Sequence, residues 1–355
     1  KIQDEMNQNL KPLNFQLGFL NIEASINIEP IIKKGANVVG KIRSRNREFR
    51  DEYIVIGAHF DHIGMGGPGS GSRKPEVDQI HPGADDNASG TAGLLELAQK
   101  LSANVNQLKR SFLLVGFDAE EKGLLGSKHF IEHSPIDIKN IATMINMDMI
   151  GRMSDSSFTV GGVGTSPSFK HLLDSLKQGR FFNLIMNKPG FGPSDHASFY
   201  TKNIPVLFFF SGVHDDYHTP NDTWNLINLR GEKHILDFIY DVVLNLARTP
   251  DKPAFQESGP KESQMGSPKK FTVTFGIMPS YVSTEKGLEV DGISRSDGPA
   301  AKAGIKKGDV IKSINNKAIS DIYEYMDRLS ALKVGMTVPV IIDRNGKEIR
   351  LEVIF

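Results

Sequence analysis

The sequence contains no cysteine and a single tryptophan. Disulfides and thiolate metal ligands are therefore excluded, and any bound metal has to be held by histidine and carboxylates. Charge of one sign is also missing: 42 Lys and Arg stand against 42 Asp and Glu. A chain without a net positive field is not built to hold nucleic acid or an anionic membrane surface. Long apolar runs are lacking too. Stretches such as Val206-Leu-Phe-Phe-Phe210 fall far short of the ~18 residues of a spanning helix. No signal-peptide pattern is visible. The chain opens on Lys1-Ile-Gln-Asp-Glu with no methionine, which reads as a mature or shortened form.

The composition that remains, 39% hydrophobic and 24% charged, is that of a soluble globular protein. A length of 355 residues suggests two domains. Strand patterns fall at Asn37–Ile42, Tyr53–Ala58, Ser111–Phe117, Ile141–Met147 and Ile204–Phe210. Helical spacing of apolar residues falls at Thr91–Leu101, Gly123–His133, Pro167–Leu176 and Glu232–Leu246. Such alternation implies crossover connections and an α/β fold with a mostly parallel central sheet, helices on both faces. Residues 1–50 read as strands and turns, and the Gly/Ser/Pro-rich stretch Gly64–Gly83 as a mobile loop. Composition shifts after Ala247. Arg248 to Lys270 is rich in Pro, Ser, Gly and Lys and reads as a linker. The expected division is 1–247, a linker 248–270, and a small β-rich unit 271–355 with one clear helix, Ile322–Leu332.

Five separated segments each offer His, Asp or Glu at or just after the end of an apolar run: Gly57-Ala-His-Phe-Asp61, Gly83-Ala-Asp-Asp-Asn-Ala-Ser-Gly90, Ala119-Glu-Glu121, Asn146-Met-Asp-Met149 and Tyr217-His-Thr-Pro220. Ligands of open α/β sheets collect at the carboxyl ends of strands. A pair of divalent cations about 3.5–4 Å apart needs a bridging carboxylate and terminal ligands on both sides. Sulfur-free His and carboxylate ligands suit zinc, and also cobalt or manganese. His59, one carboxylate of Asp85-Asp86, Glu121, Asp148 and His218 supply five ligands, with Glu120 left to move a proton. Taken singly, each has a plain reading: a polar residue after a strand, a helix start favouring acids, or a turn and cap. Five together in this order do not. Gly161-Gly-Val-Gly164 lacks the Lys-Ser/Thr of a phosphate loop, and no nucleophile elbow is present.

These motifs resemble the co-catalytic di-zinc aminopeptidases, a family that also contains glutamate carboxypeptidase and glutaminyl cyclase. The resemblance runs from about residue 38 to 247, with every motif in the family's order. It implies His59 and Asp148 on one zinc, Glu121 and His218 on the other, and Asp86 rather than Asp85 bridging two Zn²⁺. It implies Glu120 as general base and then general acid, Asp61 orienting His59, and Tyr217 supporting the oxyanion. His62, His81, His196 and His214 receive no ligand role, and His196 of Ser194-Asp-His196 is expected to shape the pocket. The implied reaction is removal of the N-terminal residue from peptides with a free amine. A carboxypeptidase and a glutaminyl cyclase are the alternatives within the family; a PDZ binding module on an inactive peptidase scaffold is the alternative from another class. Resemblance also implies export to the periplasm, cell surface or medium.

Phe275-Gly-Ile-Met-Pro279, Gly287-Leu-Glu-Val-Asp291 and the run Gly298 to Ile311 resemble a bacterial PDZ domain, which implies peptide C-termini as partners, held on backbone N–H groups around Phe275-Gly276-Ile277. Pro279 departs from the pattern, since proline on the binding strand has no N–H to donate. All proposed ligands precede residue 219, so the C-terminal unit is expected to be an accessory to catalysis.

Overall fold

A seven-stranded sheet carries the first domain, in the order β1-β5-β2-β6-β9-β7-β8. In this computed structural model the strands are β1 (Val38–Ile42), β2 (Tyr53–His59), β5 (Ser111–Phe117), β6 (Ile141–Met147), β7 (Ser157–Gly161), β8 (Asn183–Met186) and β9 (Val206–Phe210). A separate ribbon pairs β3 (Gly64–Gly66) with β4 (Asp78–His81). The structure describes residue 28 and residues 32–261, 272–284, 287–295, 297–320 and 322–355. The expected strands and turns before residue 32, residue 28 apart, and the expected linker from 262 to 270 lie outside them. The chain forms two units, Lys1–Lys34 and Gly35–Phe355; the fold and site described here belong to the second.

Strands β5, β2, β6 and β9 run parallel to one another, while β1 is antiparallel to β5 and β7 antiparallel to β9. Every residue of β2, β5 and β6 is buried, as expected of strands covered on both faces. Alternate side chains feed two cores. Ile54, Ile56, Phe112 and Leu114 pack beneath helices Gly90–Ala103 and Leu229–Arg248. Tyr53, Val55, Leu113 and Val115 pack with Phe130 and Phe199 from helices Leu125–Glu132 and His196–Tyr200. Helix Leu229–Arg248 presents Ile235, Phe238, Ile239, Val242, Val243 and Leu246 inward at helical spacing.

Three local differences from the expectation bear on the site. Strands β7 and β8 are added at one edge. The stretch Gly64–Gly83 is held in place: Ser72 Oγ lies 2.7 Å from His81 Nε2, and the Arg73 N–H donates to the His218 carbonyl at 2.9 Å. Residues 249–261 of the expected linker run along the first domain. The buried Arg110 guanidinium donates to the Thr249 and Pro250 carbonyls, and the Gly190 N–H donates to the Ser258 carbonyl at 2.8 Å. Phe255 packs on Tyr200.

The C-terminal domain is an antiparallel sheet in the order β10 (Ile277–Thr284), β11 (Gly287–Ile293), β12 (Val310–Ile314), β14 (Thr337–Arg344), β15 (Lys347–Ile354), with β13 (Lys317–Ala318) on β12. Its own core gathers Phe275, Ile277, Val290, Ile311, Val340 and Val353 around Tyr325 and Leu329 of helix Ile322–Ser330. Strand β10 stands at the edge, beside that helix.

Candidate metal centre

Strands β5, β2, β6 and β9 end on one edge of the sheet, and the chain places a polar residue at or just beyond each end. His59 is the last residue of β2, Asp148 follows β6, Glu120 and Glu121 follow β5, and His218 lies on the loop after β9. Asp86 comes from the turn Ala84–Ser89 that precedes helix Gly90–Ala103. Local backbone geometry aims these groups: Ala119 and His218 both adopt positive φ, at 55° each.

The side chains meet in two groups that share one carboxylate. His59, Asp86 and Asp148 offer ligand atoms within 4.8 Å of one another, and so do His62, Asp86 and Glu121. His59 Nε2 lies 3.3 Å from Asp86 Oδ1 and 3.4 Å from Asp148 Oδ1. On the other side His218 Nε2 lies 3.0 Å from Asp86 Oδ2 and 3.3 Å from Glu121 Oε2. Asp86 thus turns one oxygen toward each group. Asp85 does not join them. Its Oδ1 accepts the Gly151 N–H at 2.7 Å and the Ser89 hydroxyl at 3.0 Å, and its Oδ2 faces His214.

Three further residues hold this arrangement. Asp61 accepts the N–H groups of Glu120 and Glu121 on its carboxylate at 3.0 and 3.2 Å; its backbone carbonyl lies 3.1 Å from His59 Nδ1, and its Oδ1 lies 3.6 Å from the same nitrogen. It fixes the glutamate turn against the histidine. Asp222, fully buried, accepts the Asp85 and Asp86 N–H groups at 2.9 and 3.1 Å. Asn87 accepts from Gly90 and Met149 and donates to the Met147 carbonyl, tying the Asp86 turn to the end of β6. Sequence reasoning missed Asp222, whose Pro220-Asn-Asp-Thr223 setting signals only a turn. It also left His62 without a role, yet its Nδ1 lies 2.9 Å from Glu121 Oε1 and 3.6 Å from Asp86 Oδ2.

Charge explains why cations fit here. Burial opposes ionisation of His218, but Asp86 and Glu121 raise it to about 10. Burial likewise opposes a charged His59, yet Asp148, Asp61 and Asp86 hold its pKa well above the ordinary value. Asp86 and Glu121 stay low despite burial because these histidines, with His62, face them. Glu120 has no such partner. Burial pushes it up to about 9, with His59 opposing the rise and the charges of Asp148, Asp195 and Glu121 adding to it. The protonated histidines stand where metal ions would supply the positive charge, and metal binding would release those protons. Among the described residues, buried Asp86 Oδ2 and Glu121 Oε1 meet only the imidazole nitrogens of His218 and His62, without a hydrogen bond of good geometry, a demand that a cation meets. The donor set, histidine and carboxylate without sulfur, suits zinc.

A cavity of about 280 Å³ opens above these groups. Glu120 and Tyr217 line it beside the histidines and carboxylates, and Tyr217 stacks on His218 with ring centroids 3.8 Å apart. His196 lies behind, stacked on Phe208 at 4.4 Å and pushed down to about 3 by burial, so it is neutral. Ile277, Met278, Pro279 and Ser294 of the C-terminal domain line the same cavity. The expected accessory unit thus reaches the cavity through a contact between residues far apart in the chain, which no local pattern encodes.

A model of peptidase family M28 matches residues 37–243, and a PDZ domain model matches residues 280–355. The chain is similar to aminopeptidase YwaD of Bacillus subtilis, 26% identical over 228 residues that cover 61% of this chain and 46% of that protein. It is similar to leupeptin-inactivating enzyme 1 of Streptomyces exfoliatus, 29% identical over 161 residues, 45% of this chain and 33% of that one. The solved structure of BSAP, a zinc aminopeptidase from Bacillus subtilis, aligns with a TM-score of 0.51 at 26% identity, covering 62% of this chain and 53% of that one. The chain spans about half, or less, of the length of these relatives.

Proposed function

The chain belongs to peptidase family M28 and carries a PDZ domain, and on that premise we propose that it is a zinc-dependent aminopeptidase with two metal ions. The observation that carries the proposal is Asp86, buried and turning one oxygen to each of two ligand groups. His59 and Asp148 would hold one ion, and Glu121 and His218 the other, with Asp86 between them. Bound zinc would polarise the scissile carbonyl and acidify a water; cobalt or manganese are the substitutes this ligand set admits.

The chain's own residues do the rest. Glu120, on the cavity wall and outside the ligand set, takes the proton from the attacking water and returns it to the leaving amine. Asp61 holds the Glu120-Glu121 turn and orients His59. Tyr217, on the same wall, donates to the oxyanion as charge develops there. The free ammonium of the substrate is held among carboxylates. In the PDZ domain, the groove between edge strand β10 and helix Ile322–Ser330 is the place for a peptide C-terminus.

Purified protein reconstituted with zinc tests the polarity of cleavage. Leucine p-nitroanilide should be hydrolysed and its N-acetyl derivative should not. Equal rates on both would overturn the aminopeptidase reading, and release of residues from the C-terminus of a peptide would replace it with a carboxypeptidase.

A further inference from the structure

We propose that Met278, at the start of the PDZ domain's first strand, is a specificity-determining residue for the substrate's N-terminal side chain, so that the PDZ domain completes the peptidase pocket. The proposal rests on the aminopeptidase reading above.

Successive residues of a strand face opposite ways. Ile277 turns into the core of its own domain. Met278, the next residue, joins no apolar core among the described residues of that domain, yet only 7% of its surface is exposed. It packs across Gly292 beside Asp215, and it lines the cavity together with Pro279 and Ser294. The backbone is shaped for that placement. Met278 pairs in register with Gly292 of β11, and a Cβ at Gly292 would collide with Met278 Cε. The bare glycine lets the methionine lie across it. Asp215 Oδ1 stands 3.9 Å from the same point, so the loop that carries Tyr217 and His218 meets the PDZ strands here.

The same cavity has a second apolar group in its lining. Met149, Phe208 and Phe210 form a buried cluster with Val213 and Tyr217 packed on it. The side chain of a residue whose carbonyl lies over the metal ligands would be enclosed between that cluster and Met278. Methionine is flexible enough to adapt to an incoming side chain. Pro279 has no N–H to donate, so at this point β10 presents carbon rather than a hydrogen-bonding edge. The departure from the PDZ pattern thus falls on the stretch that serves as a pocket wall.

The test compares kcat/KM on alanine, leucine and phenylalanine p-nitroanilides for the parent chain, Met278→Ala and Met278→Trp, each with its zinc content measured. Met278→Ala should raise the phenylalanine-to-leucine ratio by about fivefold or more, and Met278→Trp should lower the leucine-to-alanine ratio by about tenfold, the range for adding or removing pocket volume. Unchanged ratios in both metal-loaded variants, or equal losses on all three substrates, would overturn the proposal. A second arm does not depend on turnover. The chain has no cysteine, so Asp215→Cys combined with Met278→Cys supplies the only two thiols, at two side chains whose tips both stand within 4 Å of the same point at Gly292. Dibromobimane should join them within the folded protein, and failure to join them overturns the shared wall. If the parent hydrolyses no free-amine substrate, the aminopeptidase reading fails, and the cross-link alone decides whether the PDZ strand walls the cavity.

Discussion

Glu120 and Glu121 are adjacent, and the fold sends them to different tasks. Glu121 faces His218 and His62, which hold its carboxyl below the ordinary range despite burial. Glu120 faces other carboxylates in a buried position and is pushed up to about 9. A ligand must stay charged, which suits Glu121; Glu120 holds its proton too tightly for that, and the positive charge of bound metal ions would bring its carboxyl back toward the range of a base that takes and returns a proton. Glu120→Gln keeps the shape but cannot take a proton. Turnover should fall by on the order of 10²–10⁴, with zinc content and fold unchanged. Near-normal kcat would remove Glu120 from the proton path, and loss of metal would make it a ligand. Asp61 was legible as a partner of His59, and the structure adds that its carboxylate receives the Glu120 and Glu121 N–H groups.

At the scale of elements, continuous apolar runs were the readable signal. Ser111–Phe117 and Ile141–Met147 are strands over the expected residues because a doubly covered strand tolerates apolar side chains on both faces. Strands Ser157–Gly161 and Asn183–Met186 escaped notice because they are short and mixed in polarity. The Gly64–Gly83 stretch looked mobile because glycine and serine carry no apolar period; what holds it is the Arg73 guanidinium donating to the Asp215 and Tyr217 carbonyls. Helix Leu229–Arg248 begins earlier than its apolar pattern does, capped by Asn228 accepting the Gly231 N–H. In its first turn, burial and then the nearby Asp85 push Glu232 from 4.5 up to about 7. The folded state therefore keeps a proton that the unfolded chain has lost. This contribution is fully present below pH 4.5 and is lost as pH rises toward 7. Glu232→Gln should be indistinguishable from the parent in thermal or urea unfolding at pH 4. At pH 8 it should be more stable, by roughly 1–2 kcal/mol. A gain that is the same at both pH values would contradict this.

Across the whole molecule, the sequence showed which residues could gather but not all that surrounds them. His59, Asp86, Glu121, Asp148 and His218 are spread along the chain, yet His59, Glu121 and Asp148 fall at or just past the ends of apolar strands, which a parallel sheet collects on one edge, and Asp86 and His218 join them from loops. The PDZ wall carries no comparable mark, since Met278 meets the cavity only through packing between domains. The central claim is that Asp86 serves two metal ions at once. Its most direct test is zinc stoichiometry by titration of the metal-free protein, for the parent, Asp86→Ala, Asp85→Ala, His59→Ala and His218→Ala. The account predicts two ions per chain in the parent, loss of both in Asp86→Ala, loss mainly of one in each histidine variant, and near-parent binding in Asp85→Ala. A single ion in the parent, or abolished binding in Asp85→Ala with normal binding in Asp86→Ala, would contradict it.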